Sequence, residues 1–206
     1  MAYLVGLKVN HHTEENNMKK WIVLVLMGIS QLTSANWQLD NAASKLNFVS
    51  TKKGTVAEVH TFKQLAGSID ASGHVYLSIN LASVDTAIPI RDERMQAHLF
   101  ESTQFPSLNL SAMIDAEVLA EMPIGTPIQH TLETKVSLHG IQKTLTAEVL
   151  ITKLNAKDLL VTSYTPLIIN AASFKLTAGV DKLRELAKLP SISYAVPVTF
   201  TLRFKP

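Results

Sequence analysis

From Ile128 to Leu138 the chain alternates without a break: Ile128, His130, Leu132, Thr134, Val136 and Leu138 fall on one phase, and Gln129, Thr131, Glu133, Lys135 and Ser137 on the other. A period of two is the side-chain period of a β-strand, so one face of this segment is oily and the other wet. The same period returns in Val75, Leu77, Ile79 and Leu81, in Leu108, Leu110, Ala112 and Ile114, in Leu145, Ala147, Val149 and Ile151, and in Val196, Val198, Phe200, Leu202 and Phe204. Turn formers such as Ser72-Gly73, Pro123-Ile124-Gly125 and His139-Gly140 stand between these runs. Strands joined by short turns make an antiparallel meander, which must close into a barrel or fold into a sandwich to hide its edges. The expected class is all-β, a barrel before a sandwich, with two short helices over residues 89–101 and 181–188. There Ile90, Met95 and Leu99, and then Leu183, Leu186 and Ala187, stand at helical spacing.

Ahead of the alternating region lies a different pattern. From Met18 the order is Lys19-Lys20, an apolar run over 21–29, and a polar stretch over 30–34 that closes on Ala35. A charged start, a short apolar segment and small residues before a cleavage point describe an export signal. The apolar run is short for a hydrocarbon core of about 30 Å, which makes a permanent transmembrane helix the weaker alternative. The expected organisation is a leader over residues 1–35, with the signal itself at 18–35, and one domain over 36–206. Residues 1–17, which carry His11, His12, Glu14 and Glu15, make a poor start to a signal and point to Met18 as the true start.

The chain contains no cysteine, which excludes disulfides, thiolate metal sites, cysteine nucleophiles and a lipid-modified amino-terminal cysteine. Export without disulfides fits a soluble periplasmic or secreted protein of a bacterial envelope. The net charge is +2, and the leader takes Lys8, Lys19 and Lys20 with it against Glu14 and Glu15, leaving a domain close to neutral. That balance suggests neither nucleic acid nor an acidic membrane surface as partner, and at most transient membrane contact.

Catalytic signatures are weak. His60, His74, His98, His130 and His139 are scattered, with no pair at the spacing that puts two imidazoles on one helix face, so no metal site is expected. His130 stands among the apolar residues of its strand, either as a hydrogen-bonded structural histidine or facing the polar end of a ligand. No serine sits in a nucleophile-elbow motif, and Asn109-Leu110-Ser111, formally a glycosylation acceptor, falls inside a strand. The densest charge cluster, Arg91-Asp92-Glu93-Arg94, opens the first helix. It is either a solvated helix start, with Asp92 and Glu93 favourably placed near the amino terminus, or an anchor whose arginine reaches a carboxylate or a ligand. The apolar phases carry the main functional candidate, because an eight-stranded barrel is either filled by its own side chains or leaves room for one small ligand. Periodicity alone leaves both open.

Several motifs in order along the chain resemble one family. Trp37-Gln38-Leu39-Asp40 with Ser44-Lys45-Leu46-Asn47-Phe48 is similar to its opening pattern, W-x-L-D and then S-x-(apolar)-x-F. Val84-Asp85-Thr86, Arg91-Asp92-Glu93-Arg94-Met95, Leu99-Phe100 and Phe105-Pro106-Ser107-Leu108 resemble its middle block, and Leu138-His139-Gly140-Ile141-Gln142-Lys143 a later turn. On these residues the chain resembles the YceI-like family of exported, lipocalin-like barrel proteins. It departs from the family where Asn170 and Lys175 stand in place of an arginine and a Phe-Gly pair. The resemblance implies an antiparallel eight-stranded lipocalin-like barrel without a catalytic group or dedicated cofactor. Its interior would hold a long amphiphilic lipid: a polyisoprenoid, a prenylated quinone or a fatty-acid derivative. The expected lining is Phe48, Val75, Leu77, Ile79, Leu108, Leu110, Ile128, Leu132, Val136, Phe174 and Phe200. Arg91, Asp92, His130 and Asn170 are the expected groups at the polar end or mouth. A solid barrel serving as an envelope interaction module, or less readily an envelope enzyme, are the alternatives; a dimer is compatible with either.

Overall fold

The computed structural model describes residues 37–206. The expected leader lies outside the described residues. Twelve strand segments form one antiparallel sheet: β1 (Trp37–Leu39), β2 (Lys45–Lys52), β3 (Val56–Phe62), β4 (Leu65–Ile69), β5 (His74–Asn80), β6 (Val84–Asp85), β7 (Ser107–Met113), β8 (Pro127–Leu138), β9 (Ile141–Lys153), β10 (Leu159–Ser163), β11 (Leu167–Asn170) and β12 (Ala195–Lys205). Hydrogen-bonded neighbours run β1–β4–β5–β7–β8–β9–β10–β12 and return to β1, which closes an eight-stranded barrel. The remaining segments continue members of that circuit end to end. β2 lies beside β12 where β1 leaves off, β3 beside β2, β6 beside β3, and β11 on the other edge of β12 beyond β10. The pairs β1/β2, β3/β4, β5/β6 and β10/β11 are therefore halves of single barrel strands, each broken partway.

The breaks are written locally in the sequence. Asp40 and Asn80 use their short side chains to accept from the backbone N–H groups of Ala43 (3.2 Å) and Ala82 (3.0 Å), turning the chain into the one-turn 3₁₀ helices Asn41–Ala43 and Leu81–Ser83. Asn41 spans the β3/β4 break, donating to Lys63 O (3.0 Å) and accepting from Leu65 N (2.8 Å). Pro166, with no N–H to give, marks the β10/β11 break.

The inward phases pack as two apolar layers. Ile69, Ile114, Ile151, Leu159 and Phe204 are completely buried in the lower layer, and Leu81 and Phe174 in the upper. A helix α1 (Pro89–Arg94), continued by the wider-wound turn Met95–Leu99, and a helix α3 (Thr177–Leu186) cover the upper end with Met95, Leu176 and Val180. The two expected helices are present, but α3 begins a turn earlier than expected. A third helix, α2 (Ala116–Glu121), was not expected; it closes the lower end with Leu119 and, just past its last turn, Met122. At six residues it is too short to display a helical period. α3 meets the turn after α1 through Gly179, where a Cβ would stand 2.5 Å from the His98 carbonyl oxygen. Only a residue without a side chain allows that approach.

Candidate functional site

Three cavities follow one another along the barrel. A deep one of about 80 Å³ lies among Val75, Leu77, Leu132, Val149, Phe200 and Phe204. A middle one of about 140 Å³ is walled by apolar residues alone, among them Phe48, Ile79, Leu108, Val136 and Leu176. Leu46, Leu110, Leu167 and Val198 line both, so the two share a waist. An upper one of about 240 Å³ opens between β2, β3, α1 and α3 and shares Phe48, Leu99, Val180 and Val196 with the middle cavity.

The upper cavity is where the wall turns polar. Along β2 the inward residues run Leu46, Phe48, Ser50, Lys52; along β3, in the opposite direction, they run Phe62, His60, Glu58. The antiparallel register places Phe48 opposite His60 and Ser50 opposite Glu58. Both rows thus pass from aromatic through neutral polar to charged as they approach the mouth. Phe48 packs against Phe62 and, edge-on, against His60, each at 5.3 Å between ring centres.

The charges at the mouth form one network. Glu58 accepts from Lys52 (2.9 Å) and from Arg91 Nη1 (2.6 Å), while Arg91 Nη2 donates to Thr86 O (2.7 Å). The bond from Lys52 and then that from Arg91 hold the Glu58 carboxyl below its usual range, against the opposing effect of burial. His60 is 4 % exposed. Burial first, and then the Arg91 charge, push its pKa down, so it is neutral at neutral pH. Its Nε2 pairs with Ser50 Oγ at 2.8 Å, while Nδ1, like Arg91 Nε, is buried with no partner among the described residues. The arrangement offers hydrogen-bonding groups at one end of an otherwise hydrocarbon-lined passage. Among the described residues no three His, Asp or Glu side chains are grouped to hold a metal ion.

The structure places the expected lining residues as follows. Phe48, Val75, Leu77, Ile79, Leu108, Leu110, Leu132, Val136 and Phe200 line the middle or deep cavity. Ile128 packs on the lower layer and Phe174 is buried in the upper layer, and neither is among the residues lining these cavities. Of the expected polar groups, Arg91 lines the mouth. Asp92 does not; its carboxylate accepts from Thr86 N (2.8 Å) and from the Thr86 hydroxyl. Asn170 is exposed and caps the 3₁₀ helix Ala171–Phe174 through Ala172 N (2.9 Å). His130 is half-buried on the inward phase of β8, opposite Val149, outside the cavity linings. Ser50, Lys52, Glu58 and Ser193, which line the mouth, escaped the sequence reading, while His60 entered it only as one of the scattered histidines and Arg94 only within the helix-start charge cluster. A signal for two of them exists: on the phase of Leu46 and Phe48 the next residues are Ser50 and Lys52, a switch of polarity without a change of face.

A family model described as the YceI-like domain matches residues 37–204. Among solved structures, a polyisoprenoid binding domain from Saccharophagus degradans, implicated in plant cell wall breakdown, is 36% identical. Its alignment covers 84% of this chain and 98% of that one, with a TM-score of 0.81. BcnA of Burkholderia cenocepacia, at 20% identity, 80% and 98% coverage and a TM-score of 0.63, shares the fold. So does a YCEI protein of Campylobacter jejuni, at 14% identity, 71% and 84% coverage and a TM-score of 0.52. No curated protein matches the chain.

Proposed function

The chain belongs to the YceI-like family, and from that premise we propose that it is a non-enzymatic carrier of a long amphiphilic lipid in the bacterial envelope. The lipid class is a polyisoprenoid, a prenylated quinone or a fatty-acid derivative. Its apolar chain lies along the deep and middle cavities, and its polar end stands at the mouth among His60, Ser50 and Arg91. One observation carries this reading: the inner wall is hydrocarbon from Phe204 up to Phe48 and becomes polar only between β2, β3 and α1. That is the polarity profile of an amphiphile read from tail to head. The described similarity of the Saccharophagus degradans domain, as a polyisoprenoid binding domain, supports the tail class.

Energetics favour a carrier over free diffusion. Each methylene withdrawn from water is worth roughly 0.8 kcal/mol, so a long chain does not cross an aqueous compartment alone. A hydrocarbon-lined passage needs only to match the bilayer to carry it. The export signal expected in the leader, together with a fold that requires no disulfide, supports a periplasmic or secreted location.

Leu110 and Val136 are cross-strand partners on β7 and β8, and both project into the middle cavity, Leu110 at its waist. Replacing both, Leu110→Trp with Val136→Trp, fills that space. The expected outcome is at least tenfold weaker uptake of cis-parinaric acid, followed by fluorescence, with an unchanged far-ultraviolet circular dichroism spectrum. Undiminished uptake by the folded double variant contradicts the proposed lining.

A further inference from the structure

The barrel wall carries a seam. β9 is paired with β8 along its whole length, but its other edge is paired with β10 only from Val149 to Lys153. The last bond on that side runs from Tyr164 N to Glu148 O (2.8 Å). Beyond it the chain turns at Thr165-Pro166, and β11 pairs with β12 alone. Among the described residues no ladder joins the Ile141–Ala147 stretch of β9 to β11. Full closure is how a barrel removes exposed strand edges, so two facing unpaired edges in mid-wall are a departure that needs a reason. The sequence enforces it. Pro166 has no N–H for a ladder, and the Ser163 hydroxyl, which accepts from Phe200 N (3.1 Å), draws the preceding residue onto β12 instead.

A recess of about 240 Å³ lies over this seam, and three of its lining residues, Ala147, Leu167 and Phe200, also line the deep cavity. Leu167 lines the middle cavity as well. The only charged residue of the recess is Glu148, and Ile168 on its outer lip is 54% exposed. By contrast, the mouth is crossed by the Lys52–Glu58–Arg91 network and roofed by helices that touch backbone to backbone at Gly179. An apolar chain sliding through the mouth would displace paired charges, whereas among the described residues no ion pair crosses the seam: a chain passing there parts the side chains of Leu167 and Phe200, with Thr146, Glu148 and Thr165 along the outer lips.

We infer that the β9–β11 seam is a second opening of the binding site. Through it the hydrocarbon chain of the ligand enters and leaves sideways while the polar end remains at the mouth, with Phe200 and Leu167 as the side chains that part. This rests on the lipid-holding function proposed above. The chain has no cysteine, so Thr146→Cys with Ile168→Cys supplies the only two thiols, one on each lip of the recess. Bridging them with a short bis-maleimide after loading with cis-parinaric acid is expected to slow transfer of the probe to phosphatidylcholine vesicles at least tenfold relative to the unbridged protein. Phe200→Ala is expected to speed transfer at least threefold and decides the matter should the cysteine pair not fold. Equal rates for bridged and unbridged protein, or an unchanged rate for Phe200→Ala, overturn the side opening. A wild-type protein that takes up no probe overturns the lipid-holding function itself, a distinct result.

Discussion

His60 shows how much a single side chain can carry without leaving a mark in the sequence. As one of several scattered histidines it has no motif, yet the β2–β3 register puts it between Phe48 and Glu58 on the inward face, closed from solvent. Its depressed pKa has a thermodynamic consequence. The unfolded chain binds a proton at this residue as pH falls through about 6.5, while the folded protein refuses it until a lower pH. Stability contributed by keeping His60 neutral is therefore lost as pH drops below 6.5. The carboxylates held low by their partners, Asp40, Glu58, Asp70, Asp85 and Asp158, lose their contribution only as pH falls through their ordinary values of 3.8 for aspartate and 4.5 for glutamate, below the histidine's window. His60→Gln is expected to flatten the fall in urea midpoint between pH 6.5 and 5 compared with wild type; an identical fall assigns the slope elsewhere. Arg91 was legible as a mouth residue because it sits in a charge cluster beside a helix start. Asp92, expected at the ligand's polar end from its charge cluster, instead reaches back from inside α1 to Thr86, and Asn170 caps a turn: a short acceptor side chain is the same letter whether it meets a ligand or its own backbone.

At the scale of elements, the strands were legible because a period of two survives over many residues, as in the alternation of β8. The helices were less so. α1 was announced by Pro89 and its charged first turn, and its unwinding into the Met95–Leu99 turn left no trace in spacing. α2 was missed because two buried apolar residues do not establish a period. The contact of α3 with the Met95–Leu99 turn that continues α1 is the element pairing that shapes the roof of the mouth, and it depends on Gly179. Gly179→Val would drive a branched side chain into the His98 carbonyl, where overpacking costs about 1–3 kcal/mol. The expected result is a loss of that size in chemical denaturation. Stability within 0.5 kcal/mol of wild type, about the scatter of an ordinary surface substitution, would mean that the two helices part without cost.

For the molecule as a whole, closure follows from the sequence and the interior does not. A meander with one oily face has to hide its edges, which is why a barrel could be expected from alternation alone. Whether that barrel is solid depends on how volumes sum across eight strands, a property of side chains far apart in sequence such as Leu46, Leu110, Leu167 and Val198. Strand breaks at Asp40, Asn80 and Pro166 likewise become meaningful only when the ladder on each edge is known. The cavities placed in series, hydrocarbon below and polar at the mouth, are the central claim of this account. Its most direct test is to purify the protein without detergent after expression of the full-length chain, extract it with organic solvent and identify the extract by mass spectrometry. The account predicts one prenyl or acyl species approaching one molecule per chain, above that recovered from a control protein of similar size. An empty barrel that also refuses added polyprenyl phosphates, prenylated quinones and fatty acids would contradict it.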